Sequence, residues 1–170
     1  MKNQILFQLD MCWQLYNYHM ETLTDEEALW VFDADGLQVR EKSSTWKADW
    51  PHTEAYKIGP ASIAWTLWHI IYWWSTALNY NFGDGTLTKD DVFWPGSVCL
   101  AKAKIQELYT EWKAKLNSVS EDEYVKNEHA RWPFENENFA DIALWLNAEL
   151  MKNAAEIGCG RFLYCVAKRK

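Results

Sequence analysis

Residues 62–74, Ser-Ile-Ala-Trp-Thr-Leu-Trp-His-Ile-Ile-Tyr-Trp-Trp, constrain the fold more than any other stretch of the chain. Wound as a helix, the run puts Ile63, Leu67, Ile70 and Trp74 on one side. Trp65, His69, Tyr72 and Trp73 fall on the other, so no polar face is left for water. A helix that is apolar all round has to be enclosed by neighbours. His69 is thereby carried into the interior, where an imidazole needs a hydrogen-bond partner or a metal. The run is interrupted by His69 and bounded by Pro60 and the turn at residues 79–85, and its length is marginal for a bilayer span. A buried core helix is expected, and no membrane association.

The rest of the chain supplies the enclosing helices. A first helix is expected from Lys2 to about Thr22, with Ile5, Leu9, Cys12 and Tyr16 at helical spacing. The apolar run forms a second, from Pro60 to near Leu78. A third covers Ser97 to about Asn117, with Ile105, Leu108, Trp112 and Leu116 facing inward, and a last one runs from about Glu137 to Val166. Capping boxes at Thr24–Glu27 and Ser120–Glu123 open two shorter helices. No alternating stretch is long enough to predict a sheet. The connection over residues 33–58 is unusually long, and Trp46 and Trp50 suggest that it folds back onto the bundle. Its Asp33-Ala-Asp-Gly36 segment does not match the spacing of a calcium-binding helix–loop–helix. The expectation is one all-α domain over residues 1–170, a four-helix bundle with long crossover loops.

Twelve tryptophans and 16% aromatic residues read first as bulky filling between helices, and otherwise as the wall of a ligand pocket. With 17 basic against 24 acidic residues, net −7, and a single basic run at Lys168–Lys170, a nucleic-acid partner is not expected. Cys12, Cys99, Cys159 and Cys165 form no CxxC pair and read as reduced, mostly buried thiols. Lys2 followed by Gln4, Gln8 and Asp10 does not make a signal peptide, so a cytoplasmic location is expected.

On the last helix a stripe begins with Ile142, Trp145 and Leu146 and continues through Glu149, Asn153 and Glu156 to Gly160 and Leu163. The i, i+4, i+7 spacing keeps the three polar residues on one face, inside an otherwise apolar seam. His69 with Glu149 and Asn153 would make a three-donor metal site with open positions for water or substrate. The alternative is that Glu149 and Asn153 hydrogen-bond His69 or an indole N–H. Trp65, Tyr72, Trp73, Trp145, Glu156 and Arg161 would line the surrounding pocket. His19 reads as a surface or capping residue, and His52 and His129 as loop residues. Glu54, Asp84 and Asp90 are ordinary loop carboxylates. No phosphate-binding glycine loop, nucleophile elbow or HExxH motif is present.

Three segments carry a resemblance: Leu23-Thr-Asp-Glu-Glu-Ala-Leu-Trp30, Ser62–Ile70, and Trp145-Leu-Asn-Ala-Glu149 running on to Asn153-Ala-Ala-Glu156-Ile157 and Arg161. Together they resemble the DinB-like superfamily, including its YfiT-type members, over most of the chain. The resemblance implies a metal-binding histidine at His69. It implies two more metal-binding histidines on the last helix at positions that here hold Glu149 and Asn153. Where this family's Gly-Gln pair stands, the chain has Ala155-Glu156, while Ile157 and Arg161 match. Members with intact sites are thought to bind nickel or zinc and to include thiol-dependent transferases or isomerases.

Three functional readings follow. The first is a small-molecule-binding or vestigial pocket without metal. The second is a divalent-metal-dependent transferase or isomerase using His69, Glu149 and Glu156. The third is a homodimeric interaction protein pairing through its tryptophan-rich loop or a helix face. The residues do not decide whether the chain is an enzyme.

Overall fold

The computed structural model describes residues 1–52 and 56–169; Glu54 and Lys170 lie outside the described residues. Its framework is four long helices: α1 (Lys2–Met20), α3 (Ile63–Phe82), α4 (Val98–Ser118) and α5 (Phe139–Lys168). A five-residue helix α2 (Asp25–Leu29) follows α1. Every residue from Ser62 to Ile71 is buried, as an all-apolar helix requires. Ser62 starts α3 by accepting a hydrogen bond from the Trp65 N–H at 3.2 Å, and Pro60 stands just before it. The helix runs four residues beyond the expected end at Leu78, because Asn81 is still buried and Phe82 packs against Trp112 and Phe139, and only Gly83 breaks the ladder.

Side-chain meetings fix the directions. His69 meets Asn153 and Trp73 meets Trp145, so α3 and α5 are antiparallel. Lys102 reaches the Met20 carbonyl and Lys113 pairs with Asp10, so α1 and α4 are antiparallel. Asn147 bonds the Ile5 carbonyl and Arg161 the His19 carbonyl, so α1 and α5 run parallel. The bundle is therefore up-down-down-up, and residues 83–97 climb its length to join α3 to α4. Trp94 is buried in that climb, and the Trp68 indole N–H holds it by donating to the Val92 carbonyl at 2.9 Å.

The expectation of no sheet is corrected by a small one. β1 (Val39–Lys42) and β2 (Thr45–Ala48) pair antiparallel, with Ser43 and Ser44 turning the chain at positive φ. Two four-residue strands joined by Ser-Ser carry neither a sustained alternation nor the usual Asn-Gly turn signal. The connection does fold back. Trp46 packs edge-on against Trp94, Trp50 against Trp68, and the Trp65 indole N–H donates to the Asp49 carbonyl at 2.7 Å. The second capping box opens only a 3-10 turn, Glu123–Val125.

In the first capping box Thr24 accepts the Glu27 N–H. The Glu27 carboxylate, however, turns away to Arg161, at 2.8 Å. Arg161 also donates to the His19 carbonyl and the Thr22 hydroxyl, tying α5 to the α1–α2 junction. Glu27 is 7% exposed, so losing its partner strands a carboxylate in the interior. Arg161→Met is expected to destabilise the protein by about 2–3 kcal/mol in urea unfolding, and adding Glu27→Leu should recover part of that loss.

Candidate functional site

The upper end of the α3–α5 groove opens into a cavity of about 790 Å³. From α3 it is lined by Trp65, Thr66 and His69. From α5 come Lys152, Glu156, Cys159 and Leu163, at i, i+4, i+7 and i+11, so that one helical face supplies them all. Phe32, Leu37, Ile58 and Pro60 from the α2–α3 connection close the top. Gly160 permits the closure, since a side chain there would press within 3.0 Å of both Ile63 and Phe32. Gly36 likewise lets the chain pass against the Pro60 carbonyl, which a Cβ would approach to 2.5 Å.

His69 is 6% exposed and sits at the inner wall. Its ring stacks on Trp65, with centroids 4.8 Å apart, and meets the edge of Trp73 at 5.0 Å. Nδ1 lies 3.1 Å from Asn153 Oδ1. The Asn153 amide is itself pinned, because its Nδ2 donates to the Glu149 carbonyl at 2.7 Å. The amide oxygen must therefore face His69, and an amide oxygen only accepts, so the imidazole proton resides on Nδ1. Nε2 is left with a free lone pair. It has no protein partner among the described residues and is not sealed from solvent. Burial, followed by the nearby Lys152 ammonium, pulls the His69 pKa down to about 4, so the ring is neutral at neutral pH.

Glu149 is mostly buried, and its Oε2 lies 2.6 Å from Lys152 Nζ, an ion pair without hydrogen-bond alignment. Of the three proposed donors, His69 and Asn153 are thus joined directly, while the Glu149 carboxylate is engaged by Lys152. Among the described residues no group of three or more His, Cys, Asp or Glu side chains converges as a metal site. Of the residues expected around the pocket, Trp65 and Glu156 line it.

Tyr72, Trp73 and Trp145 do not line the cavity. They belong to an aromatic cluster one to two turns lower, where Trp73 contacts Trp132 and Trp145, and Tyr72 stacks flat on Trp68. Arg161 is also off the wall, because two residues beyond Cys159 turns a helical side chain to the opposite face, toward Glu27. Glu156 stands exposed at the cavity wall rather than inside the seam.

Lys152 and Cys159 were within reach of the sequence, being one turn either side of Glu156. Three of the four cysteines are exposed, which corrects the expectation of mostly buried thiols; only Cys12 is buried, and all four are free. His19 lies against Gly158, and His129 stacks on Phe82, 4.8 Å away. His52 is an exposed loop residue.

The model of the DinB superfamily matches residues 8–157, so the chain belongs to that superfamily. No curated protein and no solved structure gives a match. No helix among the described residues is long and apolar enough to cross a membrane.

The lowered His69 pKa links stability to pH. An imidazole with a folded pKa near 4 and an ordinary value of 6.5 favours the fold fully above pH 6.5, and that contribution drains as pH falls toward 4. Over that window the wild type should lose about 3 kcal/mol more than His69→Leu, measured by denaturant unfolding at each pH.

Proposed function

We propose that this DinB-superfamily protein binds a small, mainly apolar molecule in the α3–α5 cavity without a metal ion, with His69 Nε2 accepting a hydrogen bond from it. The observation that carries this reading is the Asn153 contact, which commits Nδ1 as a donor and leaves Nε2 as an accessible acceptor beside Trp65 at the inner wall. A pocket of this volume, with few polar groups set among aromatic and aliphatic side chains, has the usual composition of a small-molecule site.

Nickel or zinc does not fit the residues present. A single imidazole lone pair is a weak anchor, an amide oxygen is a poor ligand for either ion, and Glu149 is already paired with Lys152. The ligand is defined by chemistry: an apolar body that fits beside Trp65, and a hydroxyl or N–H donor. A neutral His69 acceptor selects such a donor over an anion.

2-Naphthol and 2-methoxynaphthalene share that body and differ in the donor. Titrated against tryptophan fluorescence, 2-naphthol is expected to bind saturably and about fivefold more tightly than the ether, a preference lost in His69→Leu. Equal binding of the two probes by the wild type would remove the hydrogen bond from the account. Protein purified without a histidine tag should carry nickel and zinc well below one ion per chain. A stoichiometric ion that raises Tm and is lost in Glu149→Ala would instead support the metal-dependent transferase reading.

A further inference from the structure

The cavity is long rather than round. Its α5 wall runs from Lys152 to Leu163, and at 1.5 Å per residue that wall is about 16 Å long. The α3 wall runs beside it. His69 joins Asn153 near the lower end, and the Leu37 carbonyl accepts the Ser62 N–H at the upper end, about 10 Å of helix away. Phe32 reaches the same upper level, since it stands against Gly160. The opening is therefore a trough laid along two helix axes, with the buried side chains of Trp65, Thr66 and His69 as its floor.

Polarity is graded along that length. Lys152 and Glu156 lie at the levels of His69 and Thr66, so the charged and hydrogen-bonding side chains gather in the lower half. The upper half is formed by Cys159 and Leu163 with Phe32, Leu37, Ile58 and Pro60, and among the described residues no charged side chain lines it. Within the lower half the Thr66 hydroxyl donates to the Ser62 carbonyl, and Lys152 pairs with Glu149. His69 Nε2 is where a ligand's polar end is received. Leu163, 46% exposed, and the half-buried Phe32 and Leu37 remain to be covered by its apolar end.

We infer that the ligand is a single-chain amphiphile: a straight alkyl chain of medium length with a neutral hydroxyl or amide head. The head donates to His69 Nε2, and the chain lies along α5 as far as Leu163. An extended carbon chain advances about 1.25 Å per bond, so the roughly 15 Å from the level of Asn153 to Leu163 takes about twelve carbons. A compact ring system cannot place its donor at His69 and cover Leu163 at once. This inference rests on the proposed function for the polar end, and adds the shape and chemical class of the body.

The test is a series of 1-alkanols from hexanol to tetradecanol, titrated against tryptophan fluorescence. Affinity is expected to rise about fourfold with each added methylene as far as about dodecanol, and then to level off. Cyclododecanol has the carbon number and hydroxyl of 1-dodecanol in a compact ring, and should bind at least about tenfold more weakly. Leu163→Trp fills the upper end at a half-exposed position, and should move the levelling point to a shorter chain. Affinity independent of chain length would overturn the inference, as would equal binding of 1-dodecanol and cyclododecanol. A levelling point unmoved by Leu163→Trp, or a rise unbroken through tetradecanol, would overturn it as well. None of those results touches the comparison of 2-naphthol with its ether, which reads the His69 hydrogen bond alone. Equal binding of that pair beside an intact chain-length series would instead strike the head-group contact and keep the chain.

Discussion

One buried hydrogen bond, from His69 Nδ1 to Asn153 Oδ1, fixes how the two central helices of this bundle meet. An all-apolar helix can slide against its neighbours with little change in hydrophobic burial, because aromatic side chains repack readily. A buried imidazole cannot, since leaving it unpaired costs about 1–3 kcal/mol. The same device recurs around the bundle. Asn147 holds α5 to the Ile5 carbonyl of α1, Trp68 holds the climbing segment at Val92, and Arg161 holds α5 at Glu27. Each joins elements that are otherwise in apolar contact, and each sets a register that packing alone would leave loose.

Membership of the DinB superfamily and the details of the last helix fit together on this basis. In that helix Ile157 is buried in the core and Arg161 holds its ion pair with Glu27. Two of its polar residues, Glu149 and Asn153, make contacts internal to the protein. Asn153 is held by the Glu149 carbonyl and His69, and the Glu149 carboxylate by Lys152. These contacts are part of what supports the proposed reading of the cavity as a recognition site.

The helices were legible because a 3.6-residue period sustained over some twenty residues leaves little ambiguity, and the all-apolar run around His69 named the buried helix outright. The hairpin was not legible, since four-residue strands turned by Ser43–Ser44 present neither a period nor a typical turn. Within the site, periodicity could place Glu149 and Asn153 on one face, but it could not say that Lys152 would bend back to Glu149. Nor could it tell that Arg161, conspicuous in the sequence, would serve the α1–α2 junction. Tyr72, Trp73 and Trp145 share faces with cavity residues, yet depth along the bundle separates them. That depth is set by where the α2–α3 connection lands.

The parallel packing of α1 on α5 has a consequence for biosynthesis. Ile5 and Asn147 are 142 residues apart, so α1 has to wait for α5 before its main partner exists. Until then its inner surface, Ile5, Leu9, Cys12 and Tyr16, is open to water or to whatever shields a nascent chain. At typical translation rates that wait is on the order of ten seconds. A packing that joins helices so far apart in the chain thus makes productive folding of α1 depend on synthesis of all the residues between them.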